Sequence, residues 1–141
     1  MSAPIVLGYD GSQSANAALA KTVELAPALG APVVVVFAYY ISPLGGGDVH
    51  DYKQALEKLG RHEVLRAVAD LAAAGVEVSS RLVSDKPADA ILDVASEVGA
   101  GLIVVGTVGE SPVTGALLGS VVLKLVQRSP IPLLVVPTAA G

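Results

Sequence analysis

The chain contains no cysteine, which removes disulfides, thiolate zinc sites and cysteine nucleophiles together. His50 and His62 are then its only nitrogen metal ligands, so no structural metal is expected. Basic residues are also scarce, nine Lys and Arg against thirteen Asp and Glu, and they are scattered rather than gathered into a stripe. Nucleic-acid binding through phosphate neutralisation needs the opposite balance. No apolar run is long enough to span a bilayer, and the opening MSAPIVLGYDGS lacks the basic region and apolar stretch of a signal peptide. These absences lead us to expect a cytoplasmic protein with neither a membrane nor a nucleic-acid partner.

What is present is alanine and valine, with Phe37 and four tyrosines as the aromatics and apolar residues at 52% of the chain. A length of 141 residues suits one core and is short for two, so residues 1–141 are read as a single domain. Five β-branched apolar runs read as strands: 4–9, 33–40, 76–82, 102–105 and 133–136. The runs at Val33, Leu102 and Leu133 are apolar without alternation, as expected where helices cover both faces of a parallel sheet. Between them, 14–29, 51–74, 87–98 and 120–128 carry helical spacing. Gly30 and Gly75 fall where helix stops belong, and Pro87 suits a first helical turn.

Strictly alternating strands and helices with right-handed crossovers predict an α/β fold: one doubly wound five-stranded parallel sheet, order 3-2-1-4-5, helices on both faces. Strands 1 and 4 are then neighbours. Their carboxyl ends form the switch point at which open sheets of this kind bind ligands.

The connection leaving strand 4 at that point runs for about thirteen residues where such loops usually run about 2–6. It begins Gly106-Thr107-Val108-Gly109 and ends Leu118-Gly119-Ser120. Glycine lets backbone amides approach a ligand closely, and a helix opening at Ser120 offers unpaired amides and a positive dipole end to an anion. The same residues also read as turn glycines and an ordinary N-cap serine, and spacing alone does not separate the two.

Glycine, two residues, glycine, nine residues, then Gly-Ser resembles the nucleotide-binding signature of universal stress proteins, matched here at Gly106, Gly109, Gly119 and Ser120. The likeness spans the chain. Gly8-Tyr9-Asp10-Gly11-Ser12 resembles that family's first strand end, and 130–137 resembles its last strand. The resemblance implies a sheet of the adenine nucleotide alpha hydrolase type and a regulatory, stress-response protein that binds ATP, with Mg possible, or cyclic AMP. It implies nucleotide contacts at Gly8, Tyr9 and Asp10, at Ala38 and Tyr39 after strand 2, at Gly106, Thr107, Val108 and Gly109, and at Gly119, Ser120 and Val121. Asp10 would lie beside the ribose; its plainer role is to cap helix 1 or a turn with Gly11. The resemblance also implies a homodimer paired through Leu133, Leu134, Val135 and Val136.

Many nucleotide-binding relatives carry basic residues where Val108 and Thr114 stand here, and Glu110 adds a negative charge. Fewer cations and a nearby carboxylate make three phosphates harder to hold than one, which brings cyclic AMP forward. His50, Asp48 and Asp51 cluster beyond strand 2 without the further ligands a metal needs. His62, with Arg61, Glu63 and Arg66, reads as solvated helix surface. Two other functions stay open: a dimeric interaction module without nucleotide, and a slow ATP hydrolase. Against the hydrolase, the chain has no Walker lysine segment and its loop has no arginine.

Overall fold

The computed structural model describes residues 2–41, 49–108 and 118–138. Nine elements alternate among the described residues: β1 (Ile5–Gly8), α1 (Gln13–Leu29), β2 (Val33–Tyr39), α2 (Val49–Ala73), β3 (Val78–Ser84), α3 (Pro87–Val98), β4 (Leu102–Gly106), α4 (Ser120–Arg128) and β5 (Leu133–Val136). The sheet order is β3-β2-β1-β4-β5 with every pairing parallel, as the alternation predicts.

Strand side chains alternate between faces, and the unbroken valine runs therefore feed two cores. Ile5, Leu7, Val33, Val35, Phe37 and Val104 pack under α1 and α2. Val6, Val34, Val36, Ile103 and Val105 pack under α3 and α4. In α1 the buried positions Ala15, Ala18, Thr22 and Ala26 recur at helical spacing, and their small side chains bring the helix close to β1 and β4. The helix stops at Gly30 in the left-handed conformation (φ 63°), whose N–H bonds back to the last turn.

β3 begins two residues later than the β-branched pattern suggests. Val76 is claimed by the end of α2: its amide bonds the Leu71 carbonyl at 3.1 Å and its side chain is buried with that helix. Gly60 sits in mid-helix because a Cβ there would fall 2.8 Å from the Phe37 ring. Among the described residues no helix is long and apolar enough to cross a membrane.

Candidate functional site

β1 and β4 pair from Ile5↔Leu102 to Leu7↔Val104, and the connections leaving them run to opposite halves of the sheet. The space beyond their carboxyl ends is a cleft. Of the expected site residues, Gly8, Tyr9 and Asp10 line it from β1, Ala38 from β2, Gly106 and Val108 from β4, and Gly119 and Val121 from the start of α4. Gly109 lies outside the described residues, as do Asp48, Glu110 and Thr114.

The β1 end is a tight turn. Asp10 Oδ1 accepts the Ser12 amide at 3.0 Å, so the turn reading of Asp10 is realised in a residue that also lines the cleft. Helix capping falls to Ser12, whose Oγ accepts the Ala15 amide at 3.1 Å. Tyr9 sends its side chain the other way and donates to Asn16 Oδ1 at 2.6 Å. Burial pushes the Tyr9 hydroxyl above its usual pKa; Arg66 opposes this, and the carboxylates of Glu63, Asp70 and Asp10 reinforce it.

The β4 end is held by α1. A Cβ on Gly106 would overlap the Ser14 side chain and carbonyl, so glycine is required for this close approach. Ser14, itself buried, uses its Oγ to accept the Val108 amide at 3.1 Å. The Thr107 carbonyl accepts the Gly119 amide at 2.7 Å, which draws the two ends of the long connection together at the cleft.

Gly119, in extended conformation, is the N-cap of α4, and no side chain caps that helix. The N-cap reading of Ser120 is thus corrected: Ser120 is the first helical residue and is exposed, since the chain turns into the helix one residue earlier. The first backbone bond back to the cap comes from the Leu123 amide, at 3.1 Å to the Gly119 carbonyl. The amides of Ser120, Val121 and Val122 therefore precede the intrahelical ladder, at a helix end that contributes Val121 and Val122 to the cleft wall.

Ala38 supplies part of an apolar wall, whereas the Tyr39 side chain lies on the opposite face. Its hydroxyl donates to Glu57 at 2.8 Å, and burial, together with that hydrogen bond, raises its pKa. The remaining wall was not read from the sequence: Ala15, Val36, Pro87, Ile91, Val105 and Val122. Apolar residues in helices and strands carry no signal separating cleft wall from core. Ser14 was missed for the same reason, as a small residue in a helix start.

Asp10 is the one charged residue lining the cleft among the described residues. The site therefore offers an apolar slot, a carboxylate for hydroxyl donors, and a helix N-terminus for a small anion. No group of three His, Cys, Asp or Glu able to hold a metal occurs among the described residues. His62 is exposed on α2, and Arg61 approaches Glu57 at 3.9 Å along the same helix.

A model of the universal stress protein family matches residues 1–137. A universal stress protein of Thermus aquaticus is 39% identical over 133 residues, covering 94% of this chain and 96% of its own. Among solved structures, a universal stress protein in complex with cAMP superposes with a TM-score of 0.76 at 32% identity, covering 97% of this chain and 98% of that one. Another from Archaeoglobus fulgidus, in complex with dAMP, gives 0.71 at 27% identity, covering 96% and 98%.

Proposed function

This chain belongs to the universal stress protein family, and from that premise we propose that it is a regulatory protein binding an adenine nucleotide at the β1/β4 switch point. The observation that carries this reading is the convergence of Asp10, Ala38, Gly106, Val108, Gly119 and Val121 on one cleft. The base occupies the apolar slot by Ala38, a ribose hydroxyl donates to Asp10, and the phosphate meets the α4 amides. The relatives solved with cAMP and dAMP support the same ligand class. Regulation requires only that the ligand bind two states of the protein unequally; no catalytic step is assigned.

The charge of the cleft favours a monophosphate. A phosphate charge about 4 Å from a carboxylate is repelled by about 1 kcal/mol in water and about 4 kcal/mol at the effective dielectric of a protein surface. No Lys or Arg joins Asp10 in lining the cleft among the described residues, and Glu110 falls between β4 and α4 in the sequence. Calorimetry on nucleotide-stripped protein with cyclic AMP, AMP, ADP and ATP tests this. The expected order places cyclic AMP or AMP tightest, with magnesium improving ATP by screening its phosphates. Absence of binding by all four would leave a dimeric interaction module as the function. That reading is favoured by one observation, the edge strand β5 with Leu133, Leu134 and Val135 only partly buried.

A further inference from the structure

Two side chains in contact with each other, Tyr40 and Lys86, stand close in the chain to residues that line the cleft, and the motif assigns them no role. Val36 and Ala38 line the cleft from β2. Tyr40, two residues further, continues that row, and its ring is half exposed. Lys86 comes from the other wall. It is the N-cap of α3, immediately before Pro87, which also lines the cleft. Its ammonium lies 5.4 Å from the centre of the Tyr40 ring, and none of the ion pairs among the described residues includes it. A cation over an aromatic ring thus joins the residue that follows β2 to the residue that precedes α3.

We propose that Tyr40 recognises the base of the bound nucleotide by stacking at the mouth of the cleft, with Lys86 as the positioning residue that holds the ring. This rests on the nucleotide-binding reading and extends it to a specific side chain. The β2 side of the cleft is apolar, with Val36, Ala38, Pro87 and Ile91, whereas the amides of Ser120, Val121 and Val122, which precede the helical ladder, lie at the start of α4. A ligand with its anion on α4 therefore directs its flat apolar part toward Tyr40. Tyr40 is half exposed with Lys86 over its ring on one side, and stacking tolerates any heteroaromatic base. The cation–π contact restrains the ring before the ligand arrives, which lowers the ordering cost of binding.

The test is calorimetry of wild type, Tyr40→Ala, Tyr40→Phe, Lys86→Met and the Tyr40→Ala/Lys86→Met double variant, titrated with AMP, adenosine and ribose 5-phosphate. Both positions are exposed, so folding is expected to survive and is checked by circular dichroism. Tyr40→Ala should weaken AMP and adenosine about tenfold, the scale of one base–aromatic stack, and leave ribose 5-phosphate unchanged, while Tyr40→Phe binds as wild type. Lys86→Met should cost about threefold in the wild-type background and nothing further once Tyr40 is alanine. Unchanged adenosine binding by Tyr40→Ala, an equal loss for ribose 5-phosphate, or a full additional loss in the double variant would each overturn the proposal. Wild-type protein that binds neither AMP nor adenosine would instead remove the nucleotide reading on which it rests.

Discussion

At the scale of single residues, the site depends on a few backbone groups being held open by their neighbours. Ser14 Oγ is the acceptor for the Val108 amide, so Ser14→Ala leaves that N–H without its partner. We expect a loss of about 1 kcal/mol, read as a lower urea midpoint with an unchanged slope, together with weaker nucleotide binding. Tyr9 gives a pH signature. Its pKa is raised in the folded state, chiefly by burial, so the unfolded chain releases the proton first as pH climbs past about 10. The native state then binds more protons than the unfolded one, and stability falls with rising pH. Melting temperatures measured from pH 8 to 11 should hold level and then drop, and Tyr9→Phe should shallow the drop at the price of its hydrogen bond to Asn16. Gly106 and Gly119 stood out in the sequence as the glycines at both ends of an over-long connection, whereas Asp10 was singled out through the resemblance to the family. Ser14, Pro87 and Ile91 were not legible, since nothing in a helix start or an apolar helical stripe separates a residue facing the cleft from one facing the core.

At the scale of elements, the helix and strand boundaries follow local chemistry closely, and the exceptions have tertiary causes. Helical spacing and Pro87 place α3 at its observed limits, whereas β3 loses its first two expected residues because Val76 packs with α2. The same kind of override decides Gly60. Alanine gains about 1 kcal/mol over glycine in a helix interior, but its Cβ would meet two Phe37 ring carbons at 2.8 and 2.9 Å and Leu82 at 3.1 Å. Overpacking of this sort costs about 1–3 kcal/mol. Gly60→Ala is therefore expected to lower stability despite its higher helix propensity, measured by chemical denaturation. β5 is the other element with a consequence. As an edge strand of Leu133, Leu134, Val135 and Val136, it leaves one row of backbone groups for a second copy. Sedimentation equilibrium at micromolar concentration is expected to give a dimer, and a monomer would remove that assignment.

At the scale of the whole molecule, one topological fact places the candidate site. Winding outward from β1 in both directions sets β1 beside β4; alternation and crossover handedness also fit a receiver-like sheet, and the glycine-rich connection after strand 4 is what favoured this order in the sequence. The 2.7 Å bond from Gly119 to Thr107 then sets the start of α4 against the end of β4 at the cleft. A ligand bound there bridges both halves of the sheet, so saturating cyclic AMP should raise the melting temperature by mass action, about 2.7 kcal/mol of added stability at a hundredfold excess over Kd. The most direct measurement is residue-resolved amide NMR of nucleotide-stripped protein during titration with cyclic AMP. The account predicts shifts concentrated at Gly8–Asp10, Ala38, Gly106–Val108 and Gly119–Val122, with β3 and the far end of α2 silent. Saturable shifts centred elsewhere, or none at millimolar ligand, would contradict it.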